Sequence, residues 1–134
     1  MQTAPDTLTV LYVEDDALTR QSVSNRLARQ GVHVLAAASG EEALQLVASL
    51  PNLGAALLDV QLPGIDGLET YLRLREAYPH LAVVFCSAHL DAPTKDRLTA
   101  WGIPHDRLLQ KPCPFSRVLA ALESAAHSNS NADE

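Results

Sequence analysis

Chemically reactive side chains follow several apolar runs of this 134-residue chain, at the point where each run ends. They are Glu14 and Asp15 after the first run, Asp59 after the third, Ser87 after the fourth and Lys111 after the fifth. Crowded carboxylates repel one another, and protons or a cation must relieve that repulsion. A carboxylate nucleophile, a hard divalent cation, a hydroxyl and a lysine are the groups that a phosphoryl-transfer site needs. The pattern therefore predicts phosphoryl transfer.

Each of these residues alone has an ordinary structural explanation, such as a helix cap or a solvated turn. Asp16 fits that explanation and is predicted to be a helix N-cap. The explanation is weaker for Asp59, because an Asp directly after an apolar strand has its backbone deep in the sheet. The repetition of the pattern at successive strand ends favours a shared site.

The elements that must position these residues are five strands that alternate with five helices. Strands are predicted at 8–13, 32–36, 54–58, 81–86 and 107–110, and their apolar character is typical of a parallel sheet buried on both faces. The predicted fold class is α/β, a five-stranded parallel sheet of order 2-1-3-4-5 with helices on both faces, as in flavodoxin-like proteins. Ligands of such sheets bind at the carboxyl ends of the strands, so the reactive side chains are expected to converge there.

Helix starts and stops are visible in the sequence. Ser39 with Glu42, and Asp66 with Glu69, have the spacing of a capping box. The other helix starts are placed at Asp16, at residues 91–93 and near Pro114, and two helix ends are placed at Gly31 and Gly102. A single domain is predicted over residues 1–126, followed by a short flexible tail at 127–134.

Composition excludes several classes of function. The net charge is −6 with only ten Lys and Arg, which argues against direct nucleic-acid binding. No apolar stretch approaches the roughly 20 residues of a membrane span, and the N-terminus lacks the features of a secretion signal. Cys86 and Cys113 are far apart and form no C-x-x-C pair, so a cytoplasmic location is expected.

Four segments resemble the response-regulator receiver family of two-component phosphorelay systems. They are Leu-Tyr-Val-Glu-Asp-Asp at 11–16, Leu-Leu-Asp-Val-Gln-Leu-Pro-Gly-Ile-Asp-Gly at 57–67, Cys-Ser-Ala at 86–88 and Gln-Lys-Pro at 110–112. The resemblance extends over residues 8 to 126, and the segment around Asp59 is its most specific part.

The resemblance implies a role for each site residue. Asp59 is implied as the phosphoacceptor, with Mg²⁺ held by Glu14, Asp15, Asp59 and the Gln61 backbone carbonyl. Ser87 is implied to bond a phosphoryl oxygen, and Lys111 to pair with the acceptor or the phosphoryl group. The peptide bond between Lys111 and Pro112 is implied to be cis.

The function implied is that of a stand-alone receiver, phosphorylated by a histidine kinase or a histidine phosphotransfer protein. Its output would be a contact with another protein through the fourth helix, fifth strand and fifth helix. It would be a signalling domain that phosphorylates and dephosphorylates itself rather than an enzyme, and a homodimer stays open. An alternative is a receiver cut from a larger regulator or hybrid kinase. The initial Met and short tail favour a complete chain only weakly.

Three departures from the family pattern are visible. Leu108 stands three residues before Lys111, where the family usually has an aromatic residue, and is expected to stay buried in both signalling states. Cys113 takes the place of the usual Phe and is followed by an extra proline; it is expected to be a packing residue. Glu14 stands where Asp is more common, and its longer side chain is expected to reach the metal, directly or through water.

Gln61 and His89 each lie two residues beyond a site residue, and the resemblance suggests that they tune hydrolysis of the phosphoryl group. His89 as an exposed loop residue without a role is an equal alternative. Two other classes of protein fit this sequence less well. A phosphatase that forms an aspartyl-phosphate needs a second acid where Gln61 stands, and a flavodoxin-like flavin binder needs a Ser/Thr/Gly-rich loop at 14–16, which is acidic here.

Overall fold

The structure is a computed structural model that describes residues 8–132, with side chains described for residues 8–127. Strands and helices alternate along the whole of this part. The strands are β1 Thr9–Val13, β2 His33–Ala37, β3 Ala55–Leu58, β4 Ala82–Ser87 and β5 Leu108–Gln110. The helices are α1 Ala17–Arg29, α2 Gly40–Val47, α3 Gly67–Ala77, α4 Ala92–Ala100 and α5 Phe115–Ala132, with a 3-10 turn at His105–Arg107.

The five strands form one parallel sheet in the order β2-β1-β3-β4-β5. This confirms the predicted fold class and strand order. Val13 is in register with Leu58, and Leu58 with Phe85, so β1, β3 and β4 end within two residues of one another. The residues that follow these strands therefore lie along one edge of the sheet.

Successive residues of each central strand contribute to two separate cores, one on each face of the sheet. Leu11 and Leu58 pack in the core covered by α2, α3 and α4. Tyr12 and Leu57 pack in the other core, with Leu27 of α1 and several residues of α5. Burying one such side chain stabilises the fold by about 1.5–3 kcal/mol. Both faces of β3 are buried, which explains its continuous apolar sequence.

Four helices are capped by the residues that the sequence identifies. Asp16 accepts a hydrogen bond from the Thr19 N–H at 2.9 Å, which confirms it as an N-cap. The caps of the next three helices are Ser39, Asp66 and Asp91. Neither predicted capping box is complete. Glu42 accepts from the Ala38 N–H, one residue before the cap, and Glu69 pairs with Arg73.

Helix α5 runs to Ala132, past residue 126, where the domain was predicted to end. The predicted tail at 127–134 thus overlaps the helix in its first part, and residues 133–134 lie outside the described residues. The boundary between domain and tail stays a prediction. Within residues 8–132, the helices are too short or too polar to cross a bilayer.

Candidate functional site

Asp59 lies directly after β3 at the carboxyl edge of the sheet, and its carboxylate is held on both oxygens. Oδ1 accepts from the Ser87 hydroxyl at 2.8 Å and from the Gln61 N–H at 3.0 Å. Oδ2 accepts from the Lys111 ammonium at 2.9 Å. The residue is 8% exposed, so an ionised carboxylate here depends on these donors. The structure thus brings Asp59, Ser87 and Lys111 together, as predicted from their positions directly after successive strands.

Lys111 connects two carboxylates. Its ammonium donates to Glu14 Oε1 at 2.7 Å as well as to Asp59 Oδ2. Burial by itself lowers the pKa of Lys111, but the hydrogen bonds and negative charges of Glu14 and Asp59 outweigh burial, and the net pKa is raised. Lys111 is therefore a fixed positive charge at any ordinary pH. The bond to Pro112 is cis, as the resemblance implied.

Ser87 is the last residue of β4 and is fully buried. Its hydroxyl donates to Asp59 and accepts the N–H of His89 at 3.1 Å. The backbone of Ser87 is tied to the neighbouring strand edge, because its carbonyl accepts the Lys111 N–H at 2.9 Å. The hydroxyl thus links the Asp59 carboxylate to the loop that precedes α4.

Glu14 and Asp15 occupy different environments although they are adjacent. Glu14 is 4% exposed, and its second carboxylate oxygen accepts the Asp16 N–H at 3.2 Å. Asp15 is exposed. Arg20 donates to the Glu14 carbonyl at 2.8 Å, which fixes the turn from β1 into α1. The buried acid is thus paired with Lys111, while the exposed acid faces solvent.

The loop between β3 and α3 is fixed by contacts that sequence reasoning missed. Glu41 of α2 accepts the Ile65 N–H at 3.0 Å. A Cβ on Gly64 would meet the Glu41 carboxylate, and a Cβ on Gly67 would overlap the Asp59 carbonyl oxygen. The start of α3 therefore lies against the Asp59 backbone, and only glycine fits there. No local pattern signals these contacts, since Glu41 and Ile65 are 24 residues apart.

An open cleft of about 790 Å³ lies over these residues. Its lining includes Glu14, Asp15, Asp59, Gln61 and Lys111. Within residues 8–127, no three His, Cys, Asp or Glu side chains form a closed metal cluster. Mg²⁺ does not require one, because it takes one or two carboxylates and keeps several waters. Glu14 and Asp59 already share one cation, the Lys111 ammonium, so this pocket balances negative charge with positive charge. The candidate metal ligands are all oxygen atoms, which Mg²⁺ prefers, so the residues fit Mg²⁺.

The remaining residues discussed in the sequence analysis lie in or near the cleft or in the core. Gln61 and His89 are both exposed and both line the cleft. Leu108 is 9% exposed, so it is buried in this structure as expected. Cys113 is half-buried and packs against the α1 and α5 core as a free cysteine. Gln110 was not singled out, yet its amide donates to the Ala88 carbonyl at 3.0 Å, one residue past Ser87.

The comparisons with known proteins agree with this geometry. A family model described as "Response regulator receiver domain" matches residues 10–123. The "Positive alginate biosynthesis regulatory protein" of Pseudomonas aeruginosa is 36% identical over 126 residues, which is 91% of this chain and 48% of that protein. A "Cyclic di-GMP phosphodiesterase" of Thermotoga maritima is 33% identical over 105 residues, 78% of this chain and 27% of that protein.

A crystal structure of a response regulator receiver domain protein from Clostridium thermocellum superimposes with a TM-score of 0.83 at 21% identity. The alignment covers 92% of this chain and 97% of that one, and it shows the shared fold. Fold and site together define a small doubly wound α/β domain with an acidic pocket at the carboxyl edge of its sheet. The chain belongs to the response regulator receiver domain family. It spans about half or less of the length of the two curated relatives described.

Proposed function

We propose that this chain accepts a phosphoryl group on Asp59 from a phosphohistidine of a histidine kinase or a histidine phosphotransfer protein, in a reaction that depends on Mg²⁺. The observation that carries the proposal is the buried Asp59 carboxylate, bonded to Lys111 and Ser87 at the floor of an open cleft. A phosphoryl donor reaches Asp59 through that cleft.

In the proposed step, an Asp59 carboxylate oxygen attacks the phosphorus, and the bond between phosphorus and the donor's imidazole nitrogen breaks. The products are an aspartyl-phosphate and a free histidine, which takes a proton from solvent. Negative charge is spread over the equatorial phosphoryl oxygens. The Lys111 ammonium and the Ser87 hydroxyl, each within 3 Å of an Asp59 oxygen, are the donors placed to stabilise that charge.

Glu14, Asp15, Asp59 and the Gln61 carbonyl are the groups proposed to hold Mg²⁺. When bound, the ion supplies positive charge beside the transferred group. Glu14 is engaged with Lys111 and with the Asp16 N–H. Its proposed part is therefore to hold Lys111 as much as to approach the metal.

Loss of the phosphoryl group is proposed to occur by attack of water at the same site, so the chain is a self-limiting signalling domain rather than an enzyme with an external substrate. Gln61 and His89 are exposed and line the cleft through which that water arrives. Their size and polarity are proposed to set the hydrolysis rate.

The proposed output is a protein contact through α4, β5 and α5, without direct nucleic-acid binding; a homodimer is compatible with this face. Ser87 hydrogen-bonds the His89 N–H, and Gln110 of β5 holds the Ala88 carbonyl between them. A change at Asp59 thus has a bonded route through Ser87 to β5 and α4. Histidine-kinase donors of this kind imply a cytoplasmic location.

The alternative, a receiver that belongs to a larger regulator or hybrid kinase, is favoured by one observation. This chain covers 48% and 27% of the two curated relatives, so similar receivers occur within longer proteins. Either arrangement uses the same phosphoacceptor chemistry.

Leu18 offers a test of the protein donor. It is the second residue of α1 and is 79% exposed, three residues after Asp15, which lines the cleft. An exposed leucine beside the cleft is suited to an apolar contact with the donor protein. Leu18→Ala is expected to slow phosphotransfer from a phosphorylated kinase or phosphotransfer protein by about fivefold or more, the usual effect of losing one interface anchor.

Leu46 provides the matched control, since it is also an exposed leucine but lies on α2. Leu46→Ala is expected to leave phosphotransfer unchanged, and both variants should react normally with acetyl phosphate, which needs no docking surface. Equal slowing by acetyl phosphate and by the protein donor in Leu18→Ala would contradict a docking role.

A further inference from the structure

The loop between β3 and α3, residues 60–66, carries the Gln61 carbonyl that is proposed to bind Mg²⁺. Its two ends are held next to the phosphoacceptor. The Gln61 N–H donates to Asp59 Oδ1 at 3.0 Å, and the Gly67 N–H donates to the Val60 carbonyl at 2.8 Å. The middle of the loop lies between these two bonds and also lines the cleft. Contacts that hold the middle of the loop therefore also limit movement of the Gln61 carbonyl.

The first turn of α2 contacts the middle of this loop. Glu41 Oε2 accepts the Ile65 N–H at 3.0 Å. This hydrogen bond lowers the pKa of the Glu41 carboxyl, so the acceptor is ionised at neutral pH and the bond is charge-assisted. Gly64, with φ of 73°, lies against the same carboxylate, because a Cβ there would overlap it. Glu41 thus contacts two successive residues of the loop.

A second close approach keeps α2 beside the loop. A Cβ on Gly40 would overlap the Thr70 hydroxyl of α3 and would lie 2.8 Å from the Ile65 side chain. The absence of a side chain on Gly40 therefore lets the loop and α3 pack directly on the start of α2. The same helix start is capped by Ser39. The Glu41 carboxylate thus reaches the loop from a helix start that is both packed and capped.

Glu41 can affect the site only through the loop. It is exposed, and the described residues that line the cleft do not include it. A loop that is free to move must be ordered when it binds an ion, and that loss of conformational freedom weakens binding. Residues that orient metal ligands without touching the ion commonly change metal affinity for this reason.

We propose that Glu41 is a positioning residue for the metal site. Its carboxylate holds residues 64–65 of the loop and thereby keeps the Gln61 carbonyl in the place where Mg²⁺ would bind. This role rests on the proposed function, since it requires that the site takes up Mg²⁺. It adds a residue of α2, outside the cleft, to the groups on which metal binding depends.

Three variants separate the hydrogen bond from the charge. Glu41→Ala removes both, and alanine suits a helix, so the variant is expected to fold. Glu41→Gln removes the charge but keeps an oxygen that can accept the Ile65 N–H. Glu42→Ala is the matched control, because Glu42 is also an exposed acid in the first turn of α2 and also accepts a backbone N–H. Its donor is Ala38, which lies outside the loop.

The first measurement is the rate of phosphorylation by acetyl phosphate as a function of Mg²⁺ concentration. Glu41→Ala is expected to raise the half-maximal Mg²⁺ concentration by about threefold to tenfold, the effect of one lost hydrogen bond. The rate at saturating Mg²⁺ should be unchanged, because the phosphoacceptor and the groups bonded to it are intact. Glu41→Gln and Glu42→Ala should stay within about twofold of wild type, because exposed charges are largely screened.

The second measurement is hydrogen exchange of the Ile65 amide, followed by two-dimensional NMR without Mg²⁺. Exchange should be about tenfold faster in Glu41→Ala than in wild type, because the amide loses its acceptor, and nearly unchanged in Glu42→Ala. This readout does not depend on metal binding or on phosphorylation. It therefore tests the contact between α2 and the loop separately from the proposed function.

The positioning role is overturned if Glu41→Ala has the half-maximal Mg²⁺ concentration of a wild type that is itself phosphorylated, and the proposed function then stands. It is also overturned if Glu42→Ala or Glu41→Gln requires as much Mg²⁺ as Glu41→Ala, since lost charge or helix stability would then explain the effect. Unchanged exchange of the Ile65 amide in Glu41→Ala has the same consequence. A wild type that takes no phosphoryl group at any Mg²⁺ concentration contradicts the proposed function, and this role with it.

Discussion

At the residue scale, the two acids after β1 differ in how many partners each one has. The Glu14 carboxylate is buried between Lys111 and the Asp16 N–H, whereas the Asp15 side chain is exposed at the rim of the cleft. A carboxylate already bonded to an ammonium must exchange that partner before it contacts a metal directly. Asp15 has no such exchange to make and is the more available ligand.

We therefore expect Asp15→Asn to weaken Mg²⁺ binding on the order of 10–100-fold and Glu14→Gln to weaken it less. Asp16→Asn is the control, because it also removes one negative charge nearby while asparagine keeps the N-cap. Titration calorimetry is a better readout than Trp101 fluorescence. Trp101 does not line the cleft, because its ring is stacked on Tyr71 with the ring centroids 5.8 Å apart. Equal affinity in wild type and Asp15→Asn would refute the ranking.

The convergence of Asp59, Ser87 and Lys111 could be predicted because each follows an apolar strand, and parallel strands end at one edge. The contact between Glu41 and Ile65 could not, because it depends on the path of a loop that no local pattern specifies. The hydrogen bond from Lys111 to Glu14 could not be predicted either. The sequence pattern predicts that both residues lie at the site, but it does not say which side chains pair with each other.

At the scale of elements, the start of α3 is positioned by a close approach to β3. A Cβ on Gly67 would overlap the Asp59 carbonyl oxygen, so Gly67→Ala must push the helix or the Asp59 backbone aside. We expect the free energy of unfolding to fall by about 1–3 kcal/mol, typical of overpacking. The rate of phosphorylation by acetyl phosphate should fall as well, because Asp59 is displaced.

Gly31→Ala is the control that separates a loss of stability from a displacement of Asp59. Gly31 has φ of 83° at the end of α1, and a Cβ there would meet nothing within 4 Å. Its left-handed backbone costs about 1–2 kcal/mol with a side chain, so stability should fall comparably. Phosphorylation should stay at the wild-type rate, as measured by mass spectrometry beside urea unfolding. Equal rates in Gly67→Ala and Gly31→Ala would contradict a positioning role for Gly67.

Strand β5 carries the prediction about signalling. Leu108 is buried here, and leucine has no polar end that prefers water, so we expect it to stay buried after phosphorylation. A side chain unchanged between two states does not contribute to the shift between them. Movement should instead occur in the loop after Ser87, whose Ala88 carbonyl is held by Gln110, and in α4.

Structures with and without a phosphoryl mimic are the measurement for that expectation. They should show Leu108 equally buried and a rearranged loop at 88–91. The expectation fails if Leu108 moves from exposed to buried between the two states. It also fails if Leu108→Ala abolishes phosphorylation-dependent partner binding while stability is intact.

At the scale of the whole molecule, the alternation of apolar strands and capped helices was sufficient to predict the five-stranded parallel sheet and its order. Each predicted strand differs from the observed one by no more than one residue at either end, because hydrogen-bond pairing, which hydrophobicity does not encode, decides where a strand starts and stops.

The most direct test of the proposed function is the mass of the chain after incubation with Mg²⁺ and acetyl phosphate. Asp59 is the one carboxylate bonded by both Ser87 and Lys111 at the cleft, so the wild type should gain a single phosphoryl group. Asp59→Asn keeps the size of the side chain but lacks the nucleophile, so it should gain no phosphoryl group. The wild type should also gain none when Mg²⁺ is removed by a chelator. Undiminished labelling of Asp59→Asn would contradict the central claim.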